Sequence, residues 1–318
     1  MVNIIAEFCQ NHNGDYSILK EMIYAAAEAG ATHGKIQSIF ASDLTKRDRF
    51  ETGLVEKGIT KVIKRPYRSE YERLKKLELD YEHHSKFISD CNKANLKPLT
   101  TCFTQSSIDY LSKFDWEAIK VASYDCSSYP MLERLSKIFP KVVVSTGATF
   151  DEEIEGAAKI LNESGSKWCF LHCVTIYPTP LDHLNLKRME YLKKYSPEVG
   201  LSDHSLVSKD GVKGCLAAIF LGAQWLERHF TILPESETKD GIVSIRPEHI
   251  TEILTFSKYN KAEKEAYIKE HIPEFEQMIG NETRSLTPAE LLNRDYYRGR
   301  FAAHVGDKVV YNWESMNT

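Results

Sequence analysis

The sequence predicts a (β/α)8 barrel, the TIM-barrel architecture of the α/β class. Short apolar runs rich in β-branched residues alternate with stretches of helical spacing, and this alternation recurs eight times in about 260 residues. A doubly wound open sheet is the competing arrangement. Its usual phosphate-binding signals, GxGxxG and GxxxxGK followed by Ser or Thr, are absent from the sequence. The barrel is therefore the favoured fold.

Each predicted element follows from its hydrophobic spacing. The first apolar run, at 3–6, precedes a segment at 16–29 in which Leu19, Met22 and Ile23 share one helical face. The same criteria predict further strands at 35–37, 97–101, 118–122, 142–145, 169–172, 198–201 and 224–227. A charged insertion at about 43–78 leads into a helix ending near residue 94. Later helices are predicted at 106–113, 129–139, 151–162, 184–194, 207–221 and 247–259.

Length and these elements together predict two regions. Residues 1–260 are assigned to the barrel, which is the catalytic domain, and residues 261–318 to a short helical or extended C-terminal extension. A chain of 318 residues buries enough surface to fold without disulfides or a structural metal.

Composition excludes several classes of function. The 41 Lys and Arg residues against 45 Asp and Glu residues give a formal net charge of −4, so no basic excess indicates nucleic acid or an anionic membrane as partner. Seven cysteines, with no CxxC pair, favour reduced thiols in a cytosolic protein. Nowhere do 18 or more apolar residues run together, so we expect no transmembrane helix. No charged segment precedes the first short apolar run, so we expect no signal peptide. A cytoplasmic enzyme is predicted.

Polar side chains end all eight predicted strands. Barrel enzymes carry their active sites at the C-terminal strand ends, so polar residues there indicate chemistry. A single serine or threonine at such a place is usually a turn residue, but eight polar ends in phase favour a site. The residues are Glu7, Lys35, Gln37, Thr101, Lys120, Ser123, Ser145, Thr175, Tyr177, Ser202, His204 and His229.

Two of these residues, Lys35 and Lys120, would both point into the barrel mouth. A buried ammonium group is costly unless it is paired, so the two predict a resident anion or nearby carboxylates. The hydroxyls of neighbouring strand ends would supply the small donors that phosphate oxygens accept. Two other interpretations stay open: a Schiff-base lysine, as in some aldolases, and simple salt bridges to Glu7 and Asp203.

The histidines that end the seventh and eighth strands, His204 and His229, predict a metal site. Neighbouring strand ends can bring two imidazoles onto one divalent ion, with water and substrate in the other positions. Two neutral ligands without a fixed carboxylate predict loosely held Mn²⁺ or Mg²⁺ rather than structural zinc. A hydrogen-bonded core role is the alternative for each histidine.

Eight short motifs follow one another along the barrel: AEFCQNHNG at 6–14, KIQ at 35–37, TCF at 101–103, KVAS at 120–123, STG at 145–147, LHCVTIYPTP at 171–180, GLSDH at 200–204 and ERHFT at 227–231. Together they resemble the motifs of the sialic acid synthase (N-acetylneuraminate synthase) family, which includes legionaminate and pseudaminate synthases. The resemblance covers about residues 3–250 and is specific, because the motifs occur in order and with plausible spacing.

The resemblance implies a condensation of phosphoenolpyruvate (PEP) with an open-chain N-acylhexosamine-type aldehyde, giving a nonulosonate 2-keto acid and phosphate. Carried over by motif, the PEP ligands would be Lys35, Thr101, Lys120, Ser123, Ser145, Thr175 and Ser202. The sugar would contact Glu7, Gln37, Tyr177 and Asp240. The catalytic residues would be Glu7, which transfers a proton, and the metal ligands His204 and His229. The resemblance also implies a homodimer.

The sequence departs from the family's pattern at three places. Thr175 stands where Asn or Ser is usual, and Ala148 stands where Met is common. The C-terminal segment resembles only the start of the family's antifreeze-like domain, which offers an arginine to the sugar. Arg298 and Arg300 are the candidate substitutes for that arginine.

These departures leave the acceptor open between N-acetylmannosamine, a modified hexosamine and another aldehyde. Two alternative functions also stay open. One is a PEP-independent, metal-dependent barrel aldolase or sugar isomerase, and the other is a non-catalytic relative that binds a phosphorylated ligand.

Overall fold

Eight parallel strands close into a barrel in the computed structural model, which describes residues 2–316. Each strand pairs with the next one along the chain, and the eighth closes the ring by pairing with the first. The predicted (β/α)8 barrel is therefore confirmed. Met1, Asn317 and Thr318, which fall in the predicted barrel and extension, lie outside the described residues. The strands are β1 Asn3–Cys9, β2 His33–Ser38, β3 Lys97–Cys102, β4 Ala118–Val121, β5 Lys141–Ser145, β6 Lys167–Cys173, β7 Val199–Asp203 and β8 Trp225–His229.

The predicted strand bounds are close to the observed ones. The largest difference is at the end of β1, which was predicted at residue 6 and lies at Cys9. The strand continues because Glu7 still pairs with Lys35 on one side and with His229 on the other. A polar side chain at a strand end therefore lies within the ladder and is held by two neighbouring backbones.

Helices connect the strands on the outside of the barrel. One predicted helix, 207–221, is wrong: it is two helices, because Gly211 takes a positive φ of 53° between them. None of the described helices is long and apolar enough to cross a bilayer. The helices of the barrel are Tyr16–Glu28, Tyr81–Lys93, Ile108–Leu111, Tyr129–Ile138, Asp151–Ser164, Arg188–Lys193, Val207–Asp210, Lys213–Phe220 and Pro247–Lys258.

The charged insertion between β2 and β3 has its own structure. It contains the short helix Arg49–Thr52, an antiparallel hairpin formed by Leu54–Glu56 and Ile59–Val62, and the helix Tyr67–Lys75. Arg65, which follows the hairpin, reaches the lining of the cavity at the barrel mouth. The insertion therefore contributes to the rim of that cavity.

Side chains inside the barrel form a separate apolar core, and this inner core sets the position of the site. Because successive side chains of a strand point to opposite faces, the residue two positions after an inner-core residue also points inward. Ile5 is thus followed by Glu7, Ala118 by Lys120, and so on around the barrel. The inner core consists of Ile5, Leu99, Ala118, Val143, Cys169, Leu171 and Trp225.

The C-terminal extension returns to the barrel mouth. Its helix Pro288–Tyr297, here called the closing helix, donates from Asn293 Nδ2 to the carbonyl oxygen of Thr175 at 2.6 Å. Further along, Asn312 Nδ2 donates to the carbonyl oxygen of Phe103 at 2.7 Å. The rest of the extension comprises the helices Lys261–His271 and Phe275–Ile279 and a hairpin of Ala303–Val305 and Lys308–Val310. The helical and extended character predicted for this region is confirmed, and the domain boundary at residue 260 stays a prediction.

A fully buried ion pair joins β7 to β8 on the outer side of the barrel. Arg228 pairs with Asp203 and also donates to Ser205 Oγ at 2.9 Å, and both charged side chains are 0% exposed. We expect Asp203→Ala to lower the free energy of unfolding by about 3–5 kcal/mol, because it leaves a buried guanidinium without its counter-charge. Urea unfolding measures the loss. Arg68→Ala is the control, since Arg68 is 91% exposed and its removal should change stability little. Equal losses in the two variants would contradict the assignment.

Candidate active site at the barrel mouth

A cavity of about 480 Å³ opens at the C-terminal ends of the strands, and all eight strands contribute to its lining. The structure brings every residue predicted for the site into this one cavity. The thirteen residues are Glu7, Lys35, Gln37, Thr101, Lys120, Ser123, Ser145, Thr175, Tyr177, Ser202, His204, His229 and Asp240. Their placement is established by the geometry, and the role of each remains a prediction at this point.

Two lysines and two glutamates form the bottom of the cavity, here called the charged floor: Glu7, Lys35, Lys120 and Glu227. Lys35 is ion-paired with Glu7, and its Nζ lies 3.8 Å from Glu227 Oε1. Lys120 Nζ donates to both carboxylate oxygens of Glu227, at 2.7 and 2.8 Å. All four residues are buried, so their opposite charges compensate each other in place of water.

The charged floor corrects one of the sequence interpretations. Glu7 does pair with a lysine, as the salt-bridge alternative required, but Asp203 does not, because its side chain faces outward and pairs with Arg228. Glu227 supplies the second carboxylate instead. Sequence reasoning missed its role, although Glu227 stands two residues before His229 and so had to face the same interior.

The environment of the charged floor shifts the proton affinities of its members. Burial, together with the charge of Lys120, lowers the pKa of Lys35 to about 7, against the attraction of Glu227. Burial alone would raise the pKa of Glu227, but Lys120 and Lys35 hold that pKa well below its usual range. Glu227 is therefore ionised at neutral pH, while Lys35 gains or loses its proton readily.

Hydroxyl groups surround the charged floor. Thr101 Oγ1 accepts from Lys35 Nζ at 3.1 Å, and Ser202 Oγ donates to Glu227 Oε1 at 3.3 Å. Ser123 Oγ accepts from the backbone N–H of Gly147 at 3.1 Å. Ser145 Oγ is buried without a hydrogen-bond partner among residues 2–316, which leaves it for a ligand. The set suits an anion with several oxygens.

The lining of the cavity also includes a group of three ring side chains, here called the histidine wall: His204, His229 and Tyr177. The two imidazole rings lie 5.2 Å apart between centroids, and the Tyr177 ring lies 4.1 Å from that of His204. Burial, reinforced by the charges of His229 and Arg228, holds the pKa of His204 well below its ordinary value. His204 is therefore neutral and can offer a nitrogen lone pair.

His229 also belongs to a cluster of three possible metal ligands. The ligand atoms of Cys9, His229 and Asp240 all lie within 4.8 Å of one another. Burial alone would raise the pKa of Asp240, but His229 and Cys9 hold it well below its usual range. Asp240 is thus ionised at neutral pH. Its carboxylate, which the sequence assigned to the sugar, faces this cluster.

The rim of the cavity comes from segments far apart in sequence. Tyr297 of the closing helix stacks on Tyr124 at 5.0 Å, and Arg300 lines the cavity while pairing with Glu70 of the insertion. Arg298 is not part of the lining, because it pairs with Glu153 at 2.8 Å. Of the two candidate substitute arginines, the structure places only Arg300 at the site. No local pattern could have shown these long-range contacts.

Comparison with known proteins settles the family. The model of the NeuB family matches residues 22–266. The chain belongs to this family. It is 34% identical over 264 residues to the N,N'-diacetyllegionaminic acid synthase of Campylobacter jejuni, covering 79% of this chain and 74% of that protein. It is 30% identical over 304 residues to a pseudaminic acid synthase of Campylobacter jejuni, covering 95% and 82% respectively.

A solved structure extends the likeness to three dimensions. The sialic acid synthetase of Leptospira borgpetersenii, crystallised with citrate, superposes with a TM-score of 0.68 at 25% identity. The match covers 93% of this chain and 90% of that one. The family that the sequence motifs resemble is therefore confirmed in sequence and in fold.

The pairing within the charged floor can be measured by a double-mutant cycle. Lys120→Met should lower the free energy of unfolding by about 3–5 kcal/mol, because Glu227 then keeps a buried charge without its main partner. The double variant Lys120→Met/Glu227→Gln should lose less than the sum of the two single variants. Urea unfolding of all four proteins gives the coupling energy. Strictly additive losses would show that the two side chains do not depend on each other. Lys137→Met, which removes an exposed surface pair with Glu133, is the control.

Proposed function

We propose that the chain is a PEP-dependent condensing enzyme, a transferase that joins PEP to an open-chain N-acylhexosamine-type aldehyde. The products are a sialic-acid-like nonulosonate 2-keto acid and inorganic phosphate. Family membership and the names of the similar synthases support this reaction class. The observation that carries it is the pair of buried lysines, Lys35 and Lys120, surrounded by strand-end hydroxyls in one cavity at the barrel mouth.

PEP would occupy the space above the charged floor. Its phosphate and carboxylate groups match the cations Lys35 and Lys120, and the unpartnered Ser145 Oγ can donate to one of their oxygens. An arriving anion raises the proton affinity of Lys35, so binding takes up a proton when Lys35 starts neutral. Thr101, Ser123, Thr175 and Ser202 complete the proposed PEP ligands.

The residues present also fit a divalent ion. His229 Nδ1 is buried and has no hydrogen-bond partner within the described chain, and the neutral His204 faces the same cavity. Mn²⁺ or Mg²⁺ held by His204 and His229 would act as a Lewis acid that polarises the aldehyde carbonyl. The two imidazoles would thereby orient the aldehyde toward the methylene carbon of PEP.

Residues of the charged floor would transfer a proton and stabilise the leaving phosphate. The methylene carbon of PEP forms a bond to the aldehyde carbon, whose oxygen takes up a proton. Water adds to the central carbon of PEP, and Glu7 accepts the proton that this water loses. Cleavage of the C–O bond releases phosphate with the bonding electron pair, and the hydroxyl left by the added water gives its proton to that phosphate as the 2-keto group forms. The proton that Glu7 accepts supplies the one taken up by the aldehyde oxygen. Lys35 and Lys120 stabilise the charge that develops on the phosphate as it leaves.

The acceptor sugar would lie toward the cavity entrance. Gln37, Tyr177 and Asp240 are the proposed contacts, and Arg300 and Tyr297 of the C-terminal region border the same space. The acceptor class is a hexosamine or a related aldehyde. We also propose the homodimer that the family resemblance implies and the cytoplasmic location that the sequence predicts.

Phosphate release from PEP tests the reaction. We expect it only when an acceptor from a panel of N-acylhexosamines and other aldehydes is present, and we expect Mn²⁺ to increase it. His204→Ala and His229→Ala should each abolish the metal-dependent part of the phosphate release, because they remove proposed ligands.

Turnover of a sugar without phosphate release would favour the aldolase or isomerase alternative. Tight PEP binding without turnover on any acceptor would favour the non-catalytic one. Normal metal-dependent turnover in both variants would show that the ligand assignment is wrong.

The affinity for PEP should depend on pH through Lys35. Its folded-state pKa of about 7 means that the ammonium charge is present below this pH and is lost above it. PEP binding should therefore weaken as the pH rises through about 7, approaching about tenfold per pH unit, the limit for one linked proton. Isothermal titration calorimetry over this range measures the slope. Lys35→Arg keeps its charge throughout and should flatten the profile. A wild-type profile as flat as that of the arginine variant would contradict the role of Lys35.

A further inference from the structure

The end of β1 brings a cysteine into contact with the histidine wall. Cys9 is buried, and its Sγ donates to Asp240 Oδ2 at 3.2 Å. Asp240 Oδ2 in turn lies 3.6 Å from His229 Nδ1, which is too long for a hydrogen bond. A sulfur, a nitrogen and a carboxylate oxygen therefore converge around one point.

The nitrogen in this cluster lacks a partner although it is buried. His229 is only 8% exposed, and its Nδ1 makes no hydrogen bond to any part of the chain that the structure describes. A buried polar atom without a partner is costly and calls for an explanation such as an unseen ion. An ion beside Asp240 would satisfy this nitrogen directly.

The backbone presents Cys9 to the cluster in an unusual way. Cys9 has a φ of 38°, in the left-handed region that residues with a Cβ atom rarely adopt. The strand register shifts between Glu7 and Cys9, and the Cys9 N–H donates to Glu7 Oε1 at 2.7 Å. The bulge aims the thiol at Asp240, and backbone strain of this kind concentrates at functional sites.

We propose that Cys9 and Asp240 join His229 as ligands of the divalent ion of the barrel mouth, next to His204. The thiol binds as a thiolate, and its proton goes to solvent as the sulfur–metal bond forms. The cluster supplies three ligands, so positions remain for His204 and for water or substrate, as in catalytic metal sites. His229 and Asp240 line the cavity, so the remaining positions face it, and the His204 ring lies 5.2 Å from that of His229.

This donor set changes the metal that the site prefers. Thiolate is a soft ligand that favours Zn²⁺, Co²⁺ or Fe²⁺, whereas Mg²⁺ prefers oxygen ligands. The inference rests on the proposed function only for the catalytic use of the ion, since binding can be measured without any reaction. The proposal also makes Asp240 a metal ligand in addition to a sugar contact.

Cobalt substitution tests the proposal directly. The full chain, stripped with a chelator, is titrated with Co²⁺, which gives an intense near-ultraviolet charge-transfer band when a thiolate binds it. We expect one Co²⁺ per chain with this band, and its loss in Cys9→Ser together with a fall in Zn²⁺ affinity of about tenfold or more. Asp240→Asn should weaken Co²⁺ binding while keeping the band. Cys9→Gly is a second variant, because glycine accepts the positive φ of this position and should fold without strain.

Two buried thiols serve as matched controls. Cys173 Sγ lies 3.9 Å from His204 Nδ1, and Cys102 lies buried at the end of β3. Cys173→Ser and Cys102→Ser should both keep the band. A band that persists in Cys9→Ser, a band lost in Cys173→Ser, Co²⁺ bound without a band, or no Co²⁺ bound would each overturn the proposal. Phosphate release from PEP is measured separately, so failure of the proposed reaction with an intact cobalt band is distinguishable from failure of the metal site.

Discussion

The organisation of this protein depends on the two-residue alternation of side chains in a closed barrel of parallel strands. An inner-core residue such as Ile5 or Ala118 obliges the residue two positions later to point into the same interior. At the carboxyl ends of the strands those later residues are Glu7 and Lys120, which are charged. The barrel therefore places ionised groups above an apolar core, where they must compensate each other.

That compensation determines what the mouth can bind. When Lys35 is protonated, two ammonium groups and two carboxylates compensate one another in the charged floor. Lys35 stands apart because burial and Lys120 bring its pKa to about 7. An anion can thus be accommodated by protonating Lys35, while Lys120 keeps its pair with Glu227. The hydroxyl groups around the charged floor add neutral hydrogen-bond donors for the anion, and these cost less to desolvate than charged groups.

The sequence predicted the parts of the molecule that depend on local periodicity. All eight strands and twelve of the thirteen cavity residues follow from alternation and from the rule that barrel sites lie at strand ends, whereas Asp240 came only from the family resemblance. Glu227 was missed although the same alternation required it, and Asp203 was paired wrongly because the predicted seventh strand stopped before it. The sequence assigned no role to Cys9, because its orientation results from a bulge and a positive φ, which no hydrophobic pattern reveals.

The cavity residues that the sequence did not predict lie mainly at the rim. The sequence therefore defines the proposed reaction class better than it defines the acceptor sugar. The charged floor consists of strand ends, fixed by the barrel ladder. The rim combines Arg65 of the insertion, Lys239 after β8 and Arg300 of the extension, brought together by contacts over long sequence distances. Loops and terminal segments vary more readily than a barrel ladder. The similar proteins carry the names of synthases for different sugars, legionaminic and pseudaminic acid. In the proposed reaction the charged floor would serve the condensation, and the choice of acceptor would depend on these long-range rim contacts together with Gln37 and Tyr177.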